Sequence, residues 1–222
     1  MSARGRIPTA AFALAAGAGA VVLLAPAGAN PPHVTVVRGG PSAALYRAVT
    51  AGVADAPAWV ATAGGFLPSV GLLVLLAVLV SVSWTRRRDR WASRVGVSVA
   101  LAAAVIADLG SGIVKAVVAE ERPCRAVPHA ATWLACPPAG HWSFPNDHAA
   151  IAGALATGVV FLARRLAAVA VLVGVIVATA RVVAGVHYPH DVLAGLLWGV
   201  AVAVAGQVLA SAGPSTSADR GR

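Results

Sequence analysis

Arg181-Val-Val-Ala-Gly-Val-His187-Tyr-Pro-His-Asp191 interrupts a stretch that is otherwise almost pure Ala, Val, Leu, Ile and Gly for ten residues on either side. Apolar runs of that length, broken by a short polar corner, read as two membrane helices meeting at one face. Read as R-x(5)-H-x(3)-D, the corner offers a cation, an imidazole and a carboxylate. Polar groups at a membrane boundary are costly and need partners, so they often mark a site. A carboxylate just behind a histidine can hold one ring N–H, leaving the other nitrogen free as base or nucleophile. The simpler alternative is an interfacial loop that gathers polar residues because water is near.

The rest of the chain has the same character. Of its 222 residues 59% are hydrophobic and only 11% charged, against about 25% charged in soluble domains. Six apolar blocks are legible, at about 9–29, 57–84, 95–118, 146–163, 166–186 and 190–210. This predicts an all-α, polytopic membrane protein: a six-span bundle forming one domain over residues 1–210, followed by a disordered cytoplasmic tail at 211–222. The first block is read as an uncleaved span, although Ala27-Gly28-Ala29 also fits a signal-peptidase pattern. Residues 42–53 form a candidate interfacial helix with Leu45, Val49 and Val53 on its apolar face.

The net charge of +9 does not point to nucleic acid, because the arginines fall in short clusters between apolar blocks. Arg4 and Arg6, the five arginines between 86 and 94, Arg164-Arg165, and Arg220 with Arg222 all lie on one side of a six-span chain. The positive-inside rule makes that side cytoplasmic. The connection 119–147 and the corner 187–191 then meet outside the cell, at the plasma membrane. Cys124 and Cys136 share that oxidising compartment, which predicts a disulfide.

Two further stretches carry polar groups to the same face. Lys115-Ala-Val-Val-Ala-Glu-Glu-Arg122-Pro123 reads K-x(6)-R-P. Two cations near one point suit a phosphate, Arg by planar bidentate contacts and Lys as a point charge. Asp108 and Lys115 are two helical turns apart and should face into the bundle together. Ser143-Phe-Pro-Asn146-Asp147-His148 opens the fourth block, where Asn is a good N-cap and free N–H groups attract anions. Taken singly, these are also a snorkelling lysine, a wet loop and a capped helix start.

In order and spacing together, Lys…Arg-Pro, Pro-x-x-His and Arg-x(5)-His-x(3)-Asp resemble the three-part signature of the type-2 phosphatidic acid phosphatase superfamily. That superfamily also includes glucose-6-phosphatase and the vanadium haloperoxidases. The resemblance implies that Lys115, Arg122 and Arg181 bind phosphate, that His187 is the nucleophile and Asp191 its orienting carboxylate, and that His148 is general acid and base. Asn146 and Asp147 replace the usual Ser-Gly, and Ala180 stands where a Ser usually precedes the arginine. Asn146 still offers a cap and a donor. Asp147, expected to face Arg122 or Arg125, resembles the Asp-His form of bacterial undecaprenyl-diphosphate phosphatases, as does Glu121-Arg122-Pro123. The implied activity is a metal-independent, cofactor-free lipid phosphatase working through phosphohistidine on a polyprenyl diphosphate in the membrane. Phosphatidate and phosphatidylglycerol phosphate are the alternative substrates. A small transporter or assembly factor with charges lining a path is the non-enzymatic alternative, but it does not require the three-part spacing. His187, His190 and Asp191 suggest metal ligands only in isolation, and His190 reads as an interfacial residue.

Overall fold

The computed structural model describes residues 3–26, 33–85 and 90–211. Ala27-Gly28-Ala29, Arg86–Arg88 of the basic loop and the tail from 212 onward lie outside the described residues. Among the described residues the chain is helical, with one isolated β-bridge between Thr35 and Glu120. The helices are α1 (Ala3–Leu24), α2 (Gly40–Gly52), α3 (Ala58–Thr85), α4 (Arg90–Val118), a single turn α5 (Pro123–Ala126), α6 (Asp147–Leu162), α7 (Ala167–Val183) and α8 (Pro189–Ala210). A 3-10 turn at Arg164–Leu166 leads into α7.

Five segments, Arg4–Leu24, Ala58–Thr85, Trp91–Val118, Arg164–Val183 and Pro189–Ala210, are long and apolar enough to cross a bilayer. The sixth apolar helix, α6, has 16 residues. At 1.5 Å per residue it reaches only about 24 Å, short of a hydrocarbon core of about 30 Å. It is enclosed by α3, α4, α7 and α8, and α1 packs outside on α8. Helix α1 begins earlier than the apolar block and takes in Arg4 and Arg6, because Arg is itself a good helix former.

Helices α6 and α8 approach closely because small residues line both. Gly195 and Gly199 of α8 lie against the backbone oxygens of Asn146 and Ala150 in α6, and Gly153 faces Leu196 O. This is the small-xxx-small packing that lets membrane helices meet backbone to backbone. Gly199→Val places side-chain atoms where the Ala150 carbonyl already stands. It should destabilise the detergent-solubilised protein by about 3 kcal/mol, the upper end of overpacking costs, because a backbone carbonyl cannot step aside. Thermal unfolding checks this, and an unchanged midpoint would mean that the two helices are further apart.

The polar connections gather at one end of the bundle. Thr35 pairs with the 119–121 segment through Thr35 N–H to Ala119 O (3.0 Å) and Glu121 N–H to Thr35 O (2.8 Å). Ser143 N–H donates to Glu120 O at 2.8 Å, and Trp133 N–H to Ala184 O at 3.1 Å. Cys124 and Cys136 form the expected disulfide. Helix α2 (Gly40–Gly52) caps this end where the short interfacial helix was expected. Ala43, Tyr46 and Thr50 are buried, while Leu45 is exposed. Tyr46 ties the helix inward. Its hydroxyl donates to Gly185 O at 2.8 Å and its ring packs 5.5 Å from that of Tyr188.

Candidate active site

The turn between α7 and α8 sets the site. Helix α7 ends in a Schellman motif: Val186 N–H donates to Arg181 O (3.3 Å) and Gly185 N–H to Val182 O (2.9 Å). Gly185 has φ +79°, a conformation glycine adopts without a Cβ penalty. A Cβ there would also meet Ala131 O at 2.8 Å. The reversal carries His187 back over the last turn of α7. Pro189 then starts α8, as its missing N–H and fixed φ favour.

Asp191, in the first turn of α8, is fully buried, and His187 is 2% exposed. Three donors converge on Asp191 Oδ2: Tyr188 N–H at 2.8 Å, His187 Nδ1 at 3.2 Å and the Ser143 hydroxyl. A carboxylate that accepts three hydrogen bonds on one oxygen suits the anion. The Nδ1 contact leaves Nε2 as the nitrogen with a lone pair. That atom accepts from Arg122 Nη1 at 2.8 Å. Burial, first among several causes, brings the His187 pKa down to about 3, so the ring is neutral at pH 7.

Arg122 is held from three sides. Its Nη1 also donates to Val186 O (3.1 Å), its Nε donates to His141 O (2.7 Å), and its backbone N–H donates to Glu121 Oε1 (3.2 Å). Burial pushes its pKa below the ordinary guanidinium value. Arg181, one α7 turn from the corner, stands within electrostatic reach of Arg122 and Asp147, and its Nε is buried without a hydrogen bond.

At the start of α6, Asn146 is the N-cap. Its Oδ1 accepts from Ala149 N–H at 2.7 Å, while its Nδ2 is buried without a partner. Its backbone N–H donates to Asp191 O at 3.0 Å. His148 follows in the first turn, half-buried, within electrostatic reach of Arg181, Asp147, Lys115 and Arg122. Asp147 faces neither Arg122 nor Arg125 at hydrogen-bond distance. It forms an ion pair with Lys115, and Arg125 instead pairs with Glu121 at 2.8 Å. Thus the structure brings Lys115, Arg122, Asn146, Asp147, His148, Arg181, His187 and Asp191 into one cluster. Asp108 departs from expectation. It is exposed on α4 rather than turned into the bundle, although the charges of Asp147 and Lys115 reach it.

Sequence reasoning missed three contributors. Ser143 donates to Asp191. Glu120 is fully buried, with its carboxylate 3.1 Å from His190 Nε2. Ser42 Oγ lies 2.6 Å from His190 Nδ1. His190 is therefore an internal residue rather than an interfacial one. The pairing of Thr35 with residues 119–121, invisible in sequence, helps to bring these elements together. One oxygen or nitrogen each from Glu120, His190 and Asp191 lie within 4.8 Å of one another, a spacing that a metal ion could use.

Residues 91–211 match the family model described as the PAP2 superfamily. The fold is similar to the crystal structure of a transmembrane PAP2-type phosphatidylglycerolphosphate phosphatase from Bacillus subtilis, at TM-score 0.59 and 18% identity, covering 85% of this chain and 92% of that one. No curated protein matches. With its spanning helices and that likeness of fold, the chain is a multi-pass membrane protein.

Proposed function

Since the chain belongs to the PAP2 superfamily, we propose that it is a membrane phosphatase that hydrolyses a polyprenyl diphosphate to the monophosphate and inorganic phosphate. The observation that carries the reading is His187. Its Nδ1 is tied to Asp191 and its Nε2 is turned to Arg122. In the proposed reaction the substrate's terminal phosphate lies among Lys115, Arg122, Arg181, the free Asn146 amide and the start of α6. Its oxygens replace the ring nitrogen as acceptor for Arg122. Nε2 attacks phosphorus in line as the bond to the bridging oxygen breaks. His148, protonated once the anionic phosphate lies against it and offsets the surrounding cations, gives that oxygen a proton, and Asp191 stabilises the His187 imidazolium. Water, deprotonated by His148, then releases phosphate from His187. Phosphoryl transfer asks for little beyond such positioning and charge.

Two observations support a site on the outer face of the membrane. The capped end holds the Cys124–Cys136 disulfide, and Arg164 and Arg165 lie exposed at the other end. The short α6 would span within a sheath of longer helices, its flanks covered by α3, α4, α7 and α8.

The Asp-His form favours the polyprenyl substrate. The second reading, phosphatidylglycerol phosphate, rests on the activity named for the Bacillus subtilis structure. Phosphate release in detergent from undecaprenyl diphosphate, phosphatidate and phosphatidylglycerol phosphate tests both, with His187→Ala as the control. Preference for either phosphoglyceride would overturn the first reading, and no release from any of them would overturn the phosphatase assignment for these lipids.

Charge stabilisation here comes from three side-chain cations, so activity should persist in excess chelator and fall with vanadate, a five-coordinate mimic of phosphorus. Loss on chelation, restored by one divalent metal, would instead indicate metal-assisted hydrolysis. Asp147 is a counter-ion that the substrate must compete with for Lys115. Its side chain is 38% exposed and that of Lys115 13%, a part-exposed pair worth about 1 kcal/mol. Asp147→Asn should therefore lower KM about fivefold with kcat nearly unchanged. A raised KM would mean that Asp147 serves mainly to aim the lysine.

A further inference from the structure

Behind Asp191, on the side away from His187, lies a second buried group that the proposed reaction does not use. Asp191 Oδ2 is saturated by three donors, whereas Oδ1 is buried without a well-aligned hydrogen bond. His190 Nε2 stands 3.2 Å from that oxygen. The same nitrogen is 3.1 Å and 3.3 Å from the two oxygens of Glu120, which is fully buried. The other ring nitrogen, Nδ1, is 2.6 Å from Ser42 Oγ, and the His190 backbone N–H points to the same hydroxyl at 3.3 Å. With the serine hydroxyl donating to Nδ1, the ring proton must sit on Nε2, facing two carboxylates. Two buried carboxylates this close cannot both remain anionic without a proton or cation between them. Burial, followed by the charge of Asp191, pushes the Glu120 pKa up to about 8, in keeping with a proton retained between Glu120, His190 and Asp191.

The ring itself is clamped. Tyr188 stacks on it with centroids 5.3 Å apart, and Phe144 lies 5.7 Å away on a tilted plane. Glu120 is fixed by the Thr35 bridge and by Ser143, whose N–H donates to Glu120 O and whose hydroxyl reaches Asp191. One rigid unit thus joins helix α2, the segment after α4 and the first turn of α8.

We propose that Glu120 and His190 are positioning residues for the phosphoryl transfer: braced by Ser42, the pair supplies the proton that holds Asp191 Oδ1, so that Oδ2 stays aimed at His187. This rests on the phosphatase reading above. Neither residue touches the phosphate in this scheme. They act through Asp191, much as outer-shell partners orient the ligands of a metal.

The test uses full-length protein in detergent, assayed on whichever lipid phosphate the wild type hydrolyses best. If the wild type releases phosphate from none, the phosphatase reading fails and this proposal falls with it, whereas an active wild type with unaffected variants would overturn this proposal alone. Given an active wild type, His190→Ala and Glu120→Ala should each lower kcat about 10- to 100-fold, the range for lost outer-shell partners, with KM within about threefold. Their double variant should be little worse than either single, because both act on one oxygen. His190→Gln and Glu120→Gln keep an N–H donor beside Oδ1 and should recover most of the loss. Ser42→Ala, the mildest change, frees the tautomer and should cost less than either alanine variant.

The pH profile separates positioning from general damage. The groups facing His187 are Arg122, Arg181, Ser143 and Asp191; those facing His190 are Ser42, Glu120 and Asp191. Without the donor on Oδ1, the charge of Asp191 concentrates toward His187 and favours its protonated form. The acid limb of kcat/KM should therefore move to higher pH in His190→Ala and return in His190→Gln. Glutamine variants as impaired as the alanine ones, or an acid limb that does not move, would overturn the proposal. So would a stoichiometric metal in the purified protein, by elemental analysis, that is lost in both alanine variants, because the three side chains would then be its ligands.

Discussion

His187→Ala should abolish both phosphate release and any phosphoenzyme. The loss is expected at about 10⁴-fold or more, the scale seen when a nucleophile is removed from a preorganised site. The reason lies in how few alternatives the site offers. His187 Nε2 is the imidazole nitrogen turned to the buried Arg122, with its partner nitrogen fixed by Asp191. His148 lies in a different first turn, that of α6. Rapid-quench labelling with substrate carrying a radioactive terminal phosphate reads the result directly. Label trapped on His148 in the His187→Ala protein would reverse the two roles. No label in any variant, wild type included, would favour direct attack by water. Asp191→Asn should keep the fold but slow attack, because an amide no longer stabilises the imidazolium.

His148→Ala differs in kind. Removing a general acid and base costs about 10²–10⁴-fold, and the two steps should share that cost unequally. A diphosphate expels a phosphate oxygen, which leaves with little help from an acid. Hydrolysis of the phosphohistidine still needs a base for water. The second step therefore becomes limiting, and His148→Ala given a polyprenyl diphosphate should accumulate acid-labile phosphoenzyme. With phosphatidate the leaving group is a poorer alkoxide, so the first step should slow as well and less label should build up. Equal accumulation from both substrates would mean that His148 does not protonate the leaving oxygen. The absence of accumulation from either would remove it from the second step.

Much of this was legible in the chain itself. Long apolar blocks can only satisfy their backbone groups in a membrane as helices, so the helical class followed from composition. Lys115, Arg122, His148, Arg181, His187 and Asp191 stood out because each breaks an apolar context or ends a helix, and their spacing carried the family. The corner at Gly185, His187 and Pro189 was readable too, because its glycine and proline act locally.

Contacts between distant segments were not readable. Asp147 chose Lys115, 32 residues away, over nearer arginines, because the end of α4 lies against the start of α6. Helix α2 turns Tyr46 inward, where its hydroxyl reaches Gly185 O, a partner 139 residues away. The grouping of Glu120, His190 and Ser42 could not be read because the partners are 70 and 148 positions apart. Sequence spacing fixes which groups share a turn, and so it determined the helices, their polar ends and the chemistry available there. Which charges face one another across the capped end depends on how closely the helices pack. That was decided by Gly195 and Gly199 of α8 and by the pairing of Thr35 with residues 119–121, which set those distances only in the folded chain.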